Sequence, residues 1–311
     1  MRNALSTICC PLYLDCRIIH LDYTAVVKRG GYTGLVKIIA ITNQKGGVGK
    51  TTTSVNLAAS LAATRRRVLL VDLDPQGNAT MGSGVDKRTV EASLYDVLVE
   101  ERDISSVVVP AGQAGYTLLP ANDDLTGAEI AIWELPQREQ RLQRALSAVR
   151  DDYDYILIDC PPSLNMLTLN ALAAAEAVLI PMQCEYFALE GLSALIKTID
   201  RIRSALNPGL HVEGILRTMF DPRNNLANEV SAQLVAHFGD RVYRSVIPRN
   251  VRLAEAPSHG LPVLLYDKAS RGAQAYLALA GEILRRADQK LAEAEKKTVV
   301  EAGQAEEQLV T

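Results

Sequence analysis

The sequence contains few of the residues that mark several common classes of protein. Its 311 residues include five cysteines, and these lack paired spacing. So few cysteines exclude a disulfide-bonded scaffold and fit a reducing compartment. No apolar run reaches the roughly 18 residues that a membrane-spanning helix needs. Basic residues (33) do not outnumber acidic ones (36), so bulk charge cannot hold nucleic acid, although a local basic patch still can.

What remains is the composition of an ordinary folded protein, with 48% hydrophobic and 22% charged residues. Residues 36–286 alternate apolar runs with helical stretches, and we expect them to form a single domain. Residues 1–34 show neither a clear period nor the order of a signal peptide, which indicates a disordered leader or a true start near Leu35. Residues 287–311, with six acids and three lysines, predict a fraying helix that ends in a disordered acidic tail.

Near-continuous apolar runs rich in β-branched residues predict buried strands, and stretches of helical period separate them. The predicted strands are 37–42, 67–72, 155–159, 177–181 and 212–216. The predicted helices are 50–63, 91–99, 137–150, 164–175, 188–206, 226–237 and 270–286. Buried strands that alternate with helices form a mostly parallel sheet, because right-handed crossovers place the helices over both faces. The pattern therefore predicts a doubly wound α/β fold.

The strongest local signal is the string KGGVGKTT, residues 45–52, between a predicted strand and a predicted helix. Its glycines let the backbone curl so that N–H groups point inward at phosphate oxygens. Lys50 can place its ammonium on the β- and γ-phosphates, and the Thr51 hydroxyl can ligate Mg²⁺. The string predicts a phosphate loop (P-loop) for ATP, with an ordinary glycine turn as the alternative. The expected nucleotide contacts are Lys45, Gly46, Gly47, Val48, Gly49, Lys50, Thr51 and Thr52.

The start of this loop departs from the general phosphate-loop pattern. Gln44 stands where that pattern has glycine, and Lys45 opens the loop instead. This arrangement resembles the deviant Walker A loop of the ParA/MinD group of ATPases. In that group the first lysine reaches across a nucleotide-sandwich dimer to the other subunit's phosphates. The resemblance implies that Lys45 couples ATP binding to dimerisation, and a solvated loop lysine is the alternative.

Acidic residues follow two of the predicted strands. Ligands of open α/β sheets bind at the carboxyl ends of strands, and an aspartate after a buried strand is typical of the Walker B pattern. Asp159 is therefore the candidate that holds Mg²⁺ and senses the γ-phosphate. Asp74 is the candidate that orients or deprotonates the attacking water, with a turn cap before Pro75 as the alternative. Asp72 is expected to be structural or to stand behind a metal ligand.

Longer strings extend the resemblance over residues 36–285. They are AITNQKGGVGKTTT (40–53), RVLLVDLDPQGNAT (67–80), YILIDCPPS (155–163), QCEYFALEG (183–191), IPRNVRL (247–253) and EAPSHG (255–260). These strings are similar to the ParA/Soj family of chromosome- and plasmid-partitioning ATPases, and those from residue 183 onward narrow the match to its Soj-like branch. The resemblance implies a Mg²⁺-dependent ATPase in the cytoplasm, on the nucleoid. Its ATP-bound homodimer binds double-stranded DNA non-specifically, and a ParB-type centromere-binding partner stimulates hydrolysis and release.

A local excess of positive charge agrees with that role. Residues 201–252 hold eight arginines and four acids, and non-specific DNA binding needs such a patch. The resemblance implies that Arg223 and Arg252 contact DNA, and surface salt bridges are the alternative. It also implies that Pro248 and Asn250 lie against adenine, as an apolar wall and as an amide that reads the base edge. A strand-end turn is the alternative for this pair.

Two other functions would share the phosphate site. A MinD-like membrane switch for division-site placement would need a C-terminal amphipathic anchor, which the acidic tail does not provide, so we expect no membrane partner. A metabolic enzyme, such as an amidotransferase-type ligase or a cluster-carrying reductase, would need a second substrate site or an iron–sulfur motif. Cys160 and Cys184 are expected to be packed small residues instead.

Overall fold

Eight strands form one sheet in the order β3-β4-β2-β5-β1-β6-β7-β8. The computed structural model describes residues 37–309, with side chains through residue 293, so the predicted leader lies outside the described residues. The strands are β1 Lys37–Ile41, β2 Val68–Asp72, β3 Val109–Pro110, β4 Thr117–Leu119, β5 Tyr155–Asp159, β6 Ala177–Gln183, β7 His211–Phe220 and β8 Val242–Pro248. Every neighbouring pair is parallel except β3 and β4, which confirms the predicted fold class.

Helices cover both faces of this sheet. In chain order they are α1 Lys50–Ala63, α2 Asn78–Gly82, α3 Leu94–Leu98, α4 Leu125–Trp133, α5 Arg141–Ser147, α6 Met166–Ala174, α7 Ala188–Ala205, α8 Asn225–Phe238, α9 Val251–Glu255, α10 Val263–Tyr266 and α11 Arg271–Leu309. Buried side chains of α3 to α8 pack in one core, and those of α1, α2 and α9 to α11 pack in the other. The sheet is therefore the middle layer of three.

The central strand β1 shows why the strands read as unbroken apolar runs. Ile38 and Ala40 belong to one core, whereas Ile39 and Ile41 belong to the other. A strand buried on both faces needs apolar residues at every position. Since β1 lies between β5 and β6 in parallel register, the loop after Ile41 leaves the sheet at the same edge as the ends of both neighbours.

Several predicted boundaries were wrong, and local geometry gives the reasons. The helix predicted over 91–99 is the short α3, because Ser93 starts it with a capping box. The helix predicted over 137–150 begins only at Arg141, because Gln137 has φ 51°, which a helix cannot continue through. The strand predicted over 212–216 is the ten-residue β7, whose polar end pairs in register with β6 up to Thr218.

The last helix also runs beyond its predicted end. The sequence predicts a helix over 270–286, whereas α11 continues to Leu309. This helix packs against α1 and β8, and its core residues lie between Ala273 and Ile283. The disordered tail stays a prediction, and so do the boundaries of the single domain.

Candidate functional site

The phosphate loop joins β1 to α1 at the carboxyl edge of the sheet. Gly47 and Gly49 have φ of 72° and 86°, in the left-handed region that glycine adopts without a steric cost. Val48 between them is buried and anchors the loop to the domain. Gly49 also gives α1 no side-chain cap. The first N–H groups of α1 are therefore available to an anion, and the helix dipole favours one there.

Two neighbouring strands hold the loop in place. On the β6 side, the Asn43 side chain donates to the carbonyl oxygen of Pro181 at 2.8 Å and accepts from the Lys45 N–H at 3.0 Å. On the β7 side, the buried Thr218 hydroxyl donates to the carbonyl oxygen of Val48 at 2.8 Å. The loop is thus fixed at its start and at its centre by side chains from outside the KGGVGKTT string, and sequence reasoning missed both contacts.

Lys50 lies inside the curve of the loop. The residue is buried, and its ammonium donates to the carbonyl oxygen of Lys45 at 3.2 Å. Burial lowers the pKa of Lys50, while the carboxylates of Asp159 and Asp74 act to raise it. The structure therefore brings Lys50 close to two predicted acidic residues of the site, Asp159 and Asp74.

Asp159 ends β5 directly beside Asp72 at the end of β2. The Ser54 hydroxyl donates to Asp159 Oδ1 at 2.8 Å. Oδ2 is buried, and in the described part of the chain no donor reaches it with hydrogen-bonding geometry. Burial raises the pKa of Asp159, the Asp72 carboxylate raises it further, and the hydroxyls of Ser54 and Thr51 oppose the rise. Sequence reasoning missed Ser54, which lies one helical turn after Lys50.

An orphaned carboxylate oxygen beside a threonine hydroxyl is the donor set that a small hard cation takes. The predicted metal ligands Thr51 and Asp159 therefore fit Mg²⁺. Among the residues that the structure describes, no cluster of three His, Cys, Asp or Glu side chains could hold a metal ion on its own. A cation at Asp159 would thus share its coordination with phosphate oxygens and water, as Mg²⁺ commonly does.

The two acids after β2 differ in their surroundings. Asp72 is buried, and its Oδ2 accepts from the Thr80 N–H and from the Thr80 hydroxyl, both at 2.7 Å. It therefore anchors the chain, in line with the structural interpretation. Asp74 is half-buried, and its Oδ1 accepts from the Gln76 N–H at 3.0 Å. Asp74 thus makes the predicted turn cap, and its role in water attack stays a prediction.

Lys45 projects from the start of the loop and is half-exposed. Its ammonium forms an ion pair with the Glu185 carboxylate in the segment between β6 and α7. Two exposed aromatic side chains follow Glu185: the Tyr186 and Phe187 rings meet edge to face with 4.9 Å between centroids. In the single chain, Lys45 therefore has a partner of its own, and its role in a dimer stays a prediction.

A cavity of about 180 Å³ opens between the phosphate loop and the end of β8. Thr52 lines it on the loop side, and Pro248 and Asn250 line it on the other. Asn250 Oδ1 also accepts from the Arg252 N–H at 3.0 Å, so this residue caps α9 as the turn interpretation expected. Met219, which the sequence did not single out, forms part of the same wall. The predicted base contacts lie beside the loop, and their recognition of adenine stays a prediction.

The two predicted DNA contacts lie in the segments that follow β7 and β8. The Arg223 side chain is 88% exposed, and its guanidinium makes a bidentate pair with the Asp221 carboxylate, at 2.9 Å and 2.8 Å. Arg252 pairs with Glu255 at 2.8 Å and with Asp267 at 3.3 Å. Because β7 and β8 are parallel neighbours, both arginines lie at the carboxyl edge of the sheet. Both make the surface ion pairs considered from the sequence, and DNA contact stays a prediction.

Two further expectations concern thiols and membranes. Cys160 and Cys184 are buried free cysteines, as expected for packed small residues. Burial raises the pKa of the Cys184 thiol to about 11. Over the described part of the chain, none of the helices combines the length and the apolarity needed to cross a bilayer.

Several known proteins are similar to this chain over most of its length. The family model for the AAA domain matches residues 36–212. The sporulation initiation inhibitor protein Soj of Bacillus subtilis is 56% identical over 247 residues, which cover 79% of this chain and 98% of Soj. The chromosome partitioning protein ParA of Caulobacter vibrioides is 52% identical over 253 residues, covering 81% and 95%. A structure of cobyrinic acid a,c-diamide synthase from Mycobacterium smegmatis with bound ADP and magnesium superposes with a TM-score of 0.71 at 39% identity, covering 81% and 95%.

Proposed function

The chain belongs to the ParA/Soj family of chromosome-partitioning ATPases, and on this premise we propose that it is a Mg²⁺-dependent ATPase that segregates DNA. In this proposal an ATP-bound dimer binds DNA without sequence preference, and hydrolysis releases it. The observation that carries the proposal is the phosphate loop, with Lys50 inside its curve and Asp159 beside it. The Mycobacterium smegmatis structure with ADP and magnesium supports the choice of cofactors.

Each group at the loop has a role that follows from its chemistry. The N–H groups of residues 46–51 and the Lys50 ammonium bind phosphate oxygens. Thr51 and Asp159 hold Mg²⁺, which when bound neutralises the charge that develops on the phosphates. Asp74 orients the attacking water. Because phosphoryl transfer depends on positioning and charge stabilisation, one carboxylate in line is enough.

Dimerisation follows from the location of Lys45. Its ion pair with Glu185 is half-exposed on both sides, and such pairs contribute only about 0–1 kcal/mol. A phosphate group carries more charge than one carboxylate, so the nucleotide of a second copy can replace Glu185 as the partner of Lys45. ATP thereby joins two copies, and the dimer dissociates when hydrolysis removes the γ-phosphate.

DNA binding is assigned to Arg223 and Arg252 at the carboxyl edge. Arg223 is held by the partly exposed Asp221, and Arg252 by the partly exposed Glu255 and Asp267. A DNA phosphate can compete for such ion pairs at little cost. Two copies present the arginines twice, which raises the apparent affinity without new contacts. DNA binding of the ATP-bound dimer accounts for a location on the nucleoid. A ParB-type partner then stimulates hydrolysis, as the family relationship supports, and the protein leaves the DNA.

The test is binding to a non-specific DNA duplex with ATP, with ADP and without nucleotide, over a series of salt concentrations. We expect salt-sensitive binding with ATP alone, lost in Lys45→Ala. Arg223→Gln should lower the slope of log K against log salt by about 1.8, because the dimer presents Arg223 twice and each phosphate contact contributes about 0.9. Arg88→Gln is the matched control, since Arg88 makes the same bidentate pair with Asp86 two residues earlier. If the two substitutions change the slope equally, Arg223 does not contact DNA.

The same experiment separates the alternatives. ATP-dependent binding to anionic liposomes but not to DNA would favour the MinD-like switch. Absence of both would favour a metabolic enzyme, such as the synthase whose structure superposes here. The higher identity to Soj and ParA, 56% and 52% against 39% for the synthase, is the reason for proposing segregation first.

A further inference from the structure

One strand connects the phosphate loop with the loop that carries Arg223. The Thr218 hydroxyl near the end of β7 donates to the carbonyl oxygen of Val48 at 2.8 Å. Both residues are buried, with 2% and 1% of their surface exposed. Arg223 follows Thr218 by five residues on the same stretch of backbone. The contact that fixes the centre of the phosphate loop and the proposed DNA contact therefore belong to one short segment.

The backbone between these two points is irregular. The pairing of β7 with β8 shifts register between Arg217 and Phe220. Within this interval Met219 has φ 49°, a left-handed conformation that is strained for a residue other than glycine. Its sulfur accepts from the Gln183 amide at 2.6 Å, and its side chain lines the cavity beside the loop. Such irregularities re-aim the chain that follows them, and they are common beside active sites.

The end of β7 also determines where the Arg223 guanidinium lies. Asp221 Oδ1 accepts from the Arg223 N–H at 3.0 Å and from Arg223 Nε at 2.9 Å, so a single carboxylate holds both backbone and side chain. The Arg249 N–H donates to the carbonyl oxygen of Phe220 at 3.4 Å, which links this turn to the end of β8. A shift of the β7 end would therefore move Asp221 and Arg223 together.

We propose that Thr218 is a positioning residue that couples the nucleotide state of the phosphate loop to the presentation of Arg223. The Val48 carbonyl lies between the two left-handed glycines, and in this proposal it shifts when a phosphate binds to the loop. A buried hydroxyl either follows its acceptor or loses its hydrogen bond at a high cost, so Thr218 follows. The backbone at Met219 changes its conformation with this displacement, and the turn at Asp221 then moves. This inference rests on the proposed function, because it assumes that Arg223 binds DNA in the ATP state.

The experiment compares the affinity for non-specific duplex DNA at saturating ATP with that at saturating ADP, at a salt concentration low enough for the weak binding in ADP to be measured. Thr218→Val removes the donor at nearly constant volume, and Thr218→Ser keeps it. Thr117→Val is the control. Thr117 lies on the distant strand β4, and its hydroxyl also donates to a backbone carbonyl, that of Val68 on β2 at 3.2 Å. We expect Thr218→Val to lower the ATP-to-ADP affinity ratio at least fivefold, the lower end of typical coupling. Thr218→Ser and Thr117→Val should stay within about twofold of wild type, within the scatter of substitutions that make no differential contact.

The outcomes separate the inference from the function on which it rests. A purely structural role would lower thermal stability and change both DNA affinities alike, so the ratio would stay constant and the inference would be overturned. If wild-type protein shows no ATP-dependent DNA binding, the proposed function fails, and the coupling fails with it. If Thr218→Val does not fold, Thr218→Cys takes its place, since a thiol fills the same volume with only a weak donor. An unchanged ratio in that variant would likewise refute the coupling.

Discussion

Gly49 allows a sharp test of how the phosphate loop works. Its φ of 86° lies in the left-handed region, so any other residue there pays a backbone penalty of about 1–2 kcal/mol. Space is not the obstacle, because an added Cβ would meet the side chains of Thr218 and Met219 at 3.9 Å, an ordinary contact distance. Gly49→Ala therefore tests backbone conformation alone. If the empty loop of the variant relaxes and regains φ 86° only with phosphate bound, the penalty falls on binding. Since 1.4 kcal/mol is a factor of ten, we then expect a roughly 5- to 30-fold loss of nucleotide affinity.

The assay is calorimetric titration of MgADP, together with thermal denaturation without nucleotide. Gly112→Ala is the matched control, because Gly112 has φ 49°, has nothing within 4 Å of its added Cβ and lies outside the site. Gly112→Ala should lose about 1–2 kcal/mol of stability to backbone strain, whereas Gly49→Ala, whose empty loop relaxes, should lose less in the absence of nucleotide. The loss of MgADP affinity should appear in Gly49→Ala alone.

Two results would refute this reasoning. Full MgADP affinity in Gly49→Ala would mean that the left-handed backbone at this position is not needed for phosphate binding. An equal loss of affinity in Gly112→Ala would mean that the affinity follows global stability rather than the conformation of the loop.

Two further predictions concern buried groups. The pKa of Asp159 is raised above its unfolded value, so the buried carboxylate lowers stability increasingly as pH rises from about 4 towards its folded pKa. Asp159→Asn should therefore melt at a higher temperature than wild type in EDTA, and the difference in melting temperature should increase from pH 5 to pH 8. A constant difference would show that ionisation of the buried carboxylate is not the cause. An added Cβ at Gly214 would clash with the buried ring of Tyr243, and overpacking of this kind costs about 1–3 kcal/mol. Gly214→Ala should thus lose more stability in denaturant titration than Gly281→Ala, whose added Cβ meets the far end of the flexible Arg285 side chain at 3.3 Å; equal losses would show that the ring can yield.

The parts of the fold that were predicted from sequence are those in which one short segment carries its own signal. The strands β1, β2 and β5 are buried on both faces, so each shows an unbroken apolar run. The edge strand β3 and its neighbour β4 have two and three residues, too few to show any period. β8 lies at the other edge and carries an exposed arginine, Arg244, so its apolar run is interrupted. Strand length and place in the sheet set this limit.

The same contrast holds within the candidate site. The phosphate loop is one continuous string, and it joins a strand to a helix and has left-handed backbone at Gly47 and Gly49. The groups that hold it come from elsewhere: Thr218 is 170 residues from Val48, and Glu185 is 140 residues from Lys45. No spacing rule joins residues so far apart, because their proximity is created by the order of the strands. Asp159 was predicted from its own strand, whereas its Ser54 donor emerged only with the packing of α1 against β5.

The order of the strands also determines when this protein can acquire its site during synthesis. β1 is made first, but its partners are β5 and β6, and Tyr155 follows Ile41 by 114 residues. At 5–20 residues per second, the ribosome needs about 6–23 s to cover that distance. Throughout this time the apolar β1 and the loop after it have no neighbours in the sheet. The nucleotide site is therefore encoded near the start of the domain but completed late, and a nascent chain that has not reached Thr218 still lacks the contact that fixes the centre of the loop.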